Sequence, residues 1–147
     1  MSYPHECKEG EHGKLWNAVC ATDPDSTTRV DVGRGFTAID AYSQIKAATE
    51  LWGPVGDGWG WTIRNILHFG AFPNDIVIVH LNLWWTAEVQ GRLERHDYDV
   101  TGCAKVSMGK KDAARADDDC CKKALTDAIT KGLSYLGFNA DVFFGGF

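Results

Sequence analysis

From Val77 to Val89 every odd position is apolar: Val77, Val79, Leu81, Leu83, Trp85, Ala87 and Val89. The even positions from His80 are His80, Asn82, Trp84, Thr86, Glu88 and Gln90. Strand side chains alternate between two faces, so this pattern predicts one long strand with a single buried face. Gln90-Gly91 reads as a hairpin turn. The return segment "RLERHDYDVTGCA" keeps Tyr98, Val100, Gly102 and Ala104 on one face, and upstream "WGWTIRNIL" groups Trp59, Trp61 and Ile63.

Elsewhere the apolar period is helical. Ala41, Ile45, Ala48 and Trp52 recur at helix spacing, Thr37 and Asp40 resemble a capping box, and Gly53-Pro54 stops the helix. "GPVGDGWG" is a turn leading into a strand. A last helix is predicted from near Asp112 to Gly137, with Ala124, Leu125, Ala128, Ile129, Leu133 and Leu136 as its buried stripe. Residues 1–35 are polar and rich in turn formers, so they read as loop with a short helix around Leu15 to Val19.

The order helix, strand, strand, strand, long helix predicts an α+β fold: an antiparallel β-β-β sheet with a long hairpin, covered on one face by the C-terminal helix. No linker divides the chain, so one domain is expected over residues 1–147. It comprises a loop-rich segment 1–36, a core 37–137 and an apolar segment 138–147. Phe143, Phe144 and Phe147 are expected to pack, on the chain itself or on a neighbour.

Composition adds bounds to this picture. With 147 residues the chain is long enough for its own core. Five cysteines, an odd number, and no apolar leader point to free thiols in a reducing cytoplasm. No run approaches the ~18 apolar residues of a membrane span. Cys7, His12, Cys120 and Cys121 contain no Cys-x-x-Cys pair, so no metal is expected. The glycine-rich "GPVGDGWG" lacks the Gly-Lys-Ser/Thr ending of a phosphate loop, and neither a Gly-x-Ser-x-Gly elbow nor His-Glu-x-x-His occurs. ATP-driven chemistry and a bound cofactor are therefore not expected, and the chain reads as a non-enzyme.

Charge leaves several classes open. Net charge is -5, which disfavours nucleic acid unless positive groups cluster. Asp97 and Asp99 share a strand face, the arrangement of a magnesium-dependent nuclease. Asp117, Asp118 and Asp119, taken as helical, would fan out by about 100° each and not hold one ion together. Arg29 and Arg34 lie in a glycine-flanked loop, and Lys105, Lys110 and Lys111 precede the last helix. With Lys122, Lys123 and Lys131 they would form a stripe suited to a phosphate backbone. Trp84 is placed either to stack a base or to cover a subunit contact. The alternative is that Lys123, Asp127 and Lys131 are a solvated face laced by ion pairs, on a structural oligomer that binds no nucleic acid.

Three pieces then stand in a familiar order: "AYSQIKAATELWGPVGDGWGWTI", a long hairpin ending "YDVTG", and "CCKKALTDAITKGLSYLG". Together, over roughly Arg29 to Gly137, the chain resembles the Rad-fifty-two family of single-strand DNA annealing proteins, its short bacteriophage members above all. The resemblance implies a β-β-β-α core assembled into a homo-oligomeric ring or helical filament. Single-stranded DNA would lie in a basic groove, and complementary strands would anneal without ATP. It further implies that Thr130 and Lys131 occupy the place of a basic pair in the groove, of which only Lys131 is basic here. Arg29, with Arg34 behind it, matches a basic residue before the first core helix, and Lys111, beside Lys110, matches a lysine of a second DNA contact.

Overall fold

The computed structural model describes residues 5–30, 36–108 and 115–145. Its main elements are α1 (Lys14–Val19), β1 (Thr27–Val30), β2 (Phe36–Ile39), α2 (Ala41–Trp52), β3 (Trp59–Phe69), β4 (Ile76–Val89), β5 (Arg92–Lys105), α3 (Cys120–Tyr135) and α4 (Ala140–Phe143). They fall into two compact units: Trp52–Gly132, and Met1–Leu51 with Leu133–Phe147.

The first unit is the expected α+β core, a three-stranded antiparallel sheet in the order β3-β4-β5 with α3 packed on it. Val77, Val79, Leu81 and Leu83 are buried on the inner face, as their alternation requires. Val100 lies on that face of β5, and Ala124, Ala128 and Ile129 of α3 are buried too. Gly102 shows why small residues are needed here. A Cβ on it would lie 2.5 Å from the Ala124 carbonyl oxygen and closer still to the Ala128 nitrogen, so the helix backbone rests directly on the strand. The Tyr98 hydroxyl donates to the Gly132 carbonyl.

The long hairpin is continuous from Ile76↔Lys105 to Val89↔Arg92. Gln90 (φ 52°) and Gly91 (φ 77°) both take the left-handed conformation, which matches a two-residue turn to the strand twist. Strand β3 is less regular. A bulge between Ile63 and Asn65 shifts its register, so that Ile63 pairs with Leu81 but Ile66 with Val79. Ile63 and Ile66 remain 44% and 50% exposed, so the cover over the sheet thins towards this edge strand. At the other end of β3 the indoles of Trp52, Trp59 and Trp61 gather with Trp85 of β4. The Trp52–Trp59, Trp52–Trp85 and Trp59–Trp61 centroids are 6.0, 6.3 and 5.9 Å apart.

The start of α3 departs from expectation. Residues 115–119 are not helical: Ala116 bridges Ser107, and the Asp117 N–H donates to Val106 O at 2.6 Å. The Asp117 carboxylate accepts the Asp119 N–H at 2.9 Å, so an aspartate turn delays the helix to Cys120. The predicted start near Asp112 is corrected to that point.

In the second unit β1 and β2 form a small antiparallel ladder, Thr27↔Ile39 to Val30↔Phe36, where the sequence reads as loop. Thr37 belongs to β2. The cap of α2 is therefore Asp40, whose carboxylate accepts the Tyr42 N–H at 3.1 Å and the Ser43 hydroxyl at 3.3 Å. Gln44 and Ala48 are its buried residues, and Gln44 Nε2 donates to Ser134 Oγ at 3.3 Å. The C-terminal segment is tied in by Asp141, which accepts the Thr22 N–H at 2.8 Å and the Thr22 hydroxyl at 2.5 Å. Phe138 is buried, whereas Phe143 and Phe144 are 62% and 59% exposed, so of the two expected settings the chain itself does not cover them. Phe147 lies outside the described residues.

Candidate nucleic-acid interface

Helix α3 carries the best-defined basic residues. Its apolar stripe faces the sheet, which leaves Lys122, Lys123 and Lys131 exposed. Each of the latter two meets an acid. Lys123 Nζ pairs with Asp117 across the aspartate turn, while Lys131 Nζ donates to Asp127 Oδ2 at 2.9 Å, one helical turn earlier. The hydrogen bond from Lys123 holds the Asp117 carboxyl below its ordinary range, helped by the Asp119 N–H, and the same bond raises Lys123.

Asp127 does not point to solvent with the lysines. Its Oδ2 also accepts the Cys103 N–H of β5 at 2.9 Å, tying helix to strand. Thr130 is half-buried, and its hydroxyl donates back to the Asp127 carbonyl at 3.1 Å. Asp127 was legible only as one member of an i,i+4 series. Its strand partner is 24 residues away in sequence, so no local pattern announces it.

The other expected contact residues are distributed. Arg29 is exposed on β1, in the second unit, and is in a strand rather than a loop. Arg34, Lys110 and Lys111 lie outside the described residues. Lys105 is exposed at the end of β5.

The outer face of the sheet carries the acidic pair. Asp97 and Asp99 share it, opposite Trp84 and Asn82. Asp99 Oδ1 accepts from Asn82 Nδ2 and from Arg64 Nε, each at 2.9 Å. These bonds, Asn82 first, lower its pKa and occupy one of its two carboxylate oxygens. Trp84 is half-buried on the same face, with the Arg95 guanidinium 4.3 Å from its ring centroid. One ring face is thus already stacked.

Among the described residues, one group of three potential metal ligands comes together, Asp117, Asp118 and Asp119, with ligand atoms within 4.8 Å. This corrects the expected fanning, because the three precede the helix. Asp117 is nonetheless already engaged by Lys123 and the Asp119 N–H. No described helix is long and apolar enough to cross a membrane. No protein-family model and no curated protein matches the chain.

Proposed function

We propose that this chain binds single-stranded DNA and anneals complementary strands without ATP, as a homo-oligomer in the cytoplasm of a bacterial host, in phage recombination and repair. The supporting observation is where the family-like segments fall. The segment "KALTDAITKGLSYLG" coincides with most of α3, which is seated by its small residues on a β-β-β sheet whose last strand contains "YDVTG". Annealing requires contacts that tolerate any sequence and leave base edges open, a task for lysine and arginine on phosphates. Lys131 is the principal candidate, with Arg29, Lys111, Lys110, Arg34 and Thr130 as further contributors. Repetition of a few weak contacts around an oligomer gives tight binding along one strand, even for an acidic chain. Among the described residues, β3 and β5 each pair with one strand only, and since Asp127 takes the Cys103 N–H on the outer side of β5, β3 presents the more open edge to a neighbouring copy.

The test is size-exclusion chromatography with light scattering, with and without a single-stranded oligonucleotide, at low and moderate salt. It is followed by annealing of complementary strands with no nucleotide present. A large particle that takes up DNA, releases it as salt rises and accelerates annealing is expected. Lys131→Ala is expected to weaken binding to all sequences alike and to lower the salt slope by ~0.7 for each phosphate that is no longer neutralised. A species that never takes up DNA would overturn the proposal and favour a structural oligomer. The pairing of Lys123 and Lys131 with aspartates is the feature on that side. The nuclease reading has the engaged Asp99 against it, and intact labelled DNA in magnesium would dispose of it.

A further inference from the structure

Asp127 is the hub of the candidate interface. Its carbonyl accepts the Thr130 hydroxyl, and its Oδ2 accepts both the Cys103 N–H and the Lys131 ammonium. The strand N–H fixes the carboxylate, since Cys103 belongs to a paired β-strand. The carboxylate in turn fixes the lysine, whose side chain is 46% exposed while that of Asp127 is 33% exposed. A half-exposed lysine beside an anchored carboxylate is not a bare positive charge. A phosphate that approaches it must share the ammonium with, or take it from, an acid of the same sign as itself.

We infer that Asp127 is a positioning residue that restrains Lys131 and so sets how strongly each subunit grips a DNA phosphate. The inference rests on the proposed single-strand binding. The restraint works in two ways. It holds the ammonium at the flank of α3 beside β5 in place of a freely rotating side chain, and it subtracts from the attraction that the ammonium exerts. The second effect weakens each phosphate interaction, which suits a protein whose bound strand must remain exchangeable for a complementary one. The chemistry recognised is the anionic backbone of a single strand, independent of base.

The experiment is a double-mutant cycle on the full chain: wild type, Asp127→Asn, Lys131→Ala and the double variant. Each is titrated with labelled oligothymidylate across a range of salt. Asparagine keeps a carbonyl oxygen for the Cys103 N–H, so the helix stays anchored while the charge is removed. Asp127→Asn is expected to tighten binding roughly threefold to tenfold and to steepen the salt slope by up to ~0.7 per phosphate. In the Lys131→Ala background the same substitution is expected to change neither.

Equal tightening in both backgrounds would overturn the inference, because it would reduce Asp127 to a contribution to net charge. Unchanged binding by Asp127→Asn, in a protein that Lys131→Ala weakens, would overturn it while leaving the functional proposal standing. A wild type that binds no oligothymidylate at any salt would overturn both. If Asp127→Asn loses its fold by circular dichroism, Asp127→Gln, whose side-chain amide oxygen is long enough to reach the strand, must give the same pair of results.

Discussion

Asp117 accepts the Asp119 N–H and receives the Lys123 ammonium, so one carboxylate both turns the chain into α3 and clamps its first turn. The sign of its pH dependence follows from the two shifts. Asp117 is held below its ordinary value of 3.8. Its contribution to stability is therefore present above that value and lost as pH falls through the lowered one. Lys123 is raised above 10.5, so its contribution is present below that value and lost as pH rises through the raised one. Lys123→Met is expected to lower the urea midpoint by a small, constant amount at intermediate pH. The gap to wild type should close at both extremes. A gap that persists in strong acid would show that weaker packing, and not the ion pair, accounts for the difference.

At the scale of elements, the close seating of α3 on β5 turns on Gly102. Gly102→Ala places a methyl against the helix backbone, which has no rotamer by which to yield. The expected cost is ~3 kcal/mol or more in chemical denaturation, at the upper end for overpacking. A cost below ~1 kcal/mol would mean that the helix can lift from the sheet without penalty. The elements that were legible in the sequence are those whose pattern repeats. The β4 alternation runs over many residues, Gln90-Gly91 suits its turn, and the α3 stripe fixes which face is buried. The four-residue strands β1 and β2 offer too few alternations to stand out from the surrounding turn formers. Strand β3 is legible through Trp59, Trp61 and Ile63, but the bulge near Arg64 breaks the alternation beyond them. The start of α3 is not readable from the sequence, because aspartates suit a first helical turn and a preceding aspartate turn equally well. In the candidate interface, the lysines were visible as residue types. Their aspartate partners were visible only where the spacing was four.

For the molecule as a whole, an acidic chain in which, among the described residues, β3 pairs on one side only has a specific expectation under the proposed function. Strand β3 presents the apolar edge, with Ile63 and Ile66 about half exposed. A charge on such an edge opposes pairing with another copy. Ile66→Lys is therefore expected to lower the particle mass in light scattering, with far-ultraviolet circular dichroism unchanged. Retention of the wild-type mass would remove this edge from the assembly contact.

The indole cluster of the sheet unit has an optical consequence. Trp52, Trp59, Trp61 and Trp85 are linked through centroid separations of about 6 Å, and Trp84 belongs to the same unit, whereas Trp16 lies in the other. Chromophores this close couple their excited states, so the folded sheet should produce an exciton couplet that vanishes when the indoles separate. A single-tryptophan emission signal from Trp16, in a background where the other tryptophans are replaced by phenylalanine, would report the second unit alone. The chain thus carries two spectroscopically separable reporters, and comparing their melting curves would reveal whether its two halves unfold as one cooperative system.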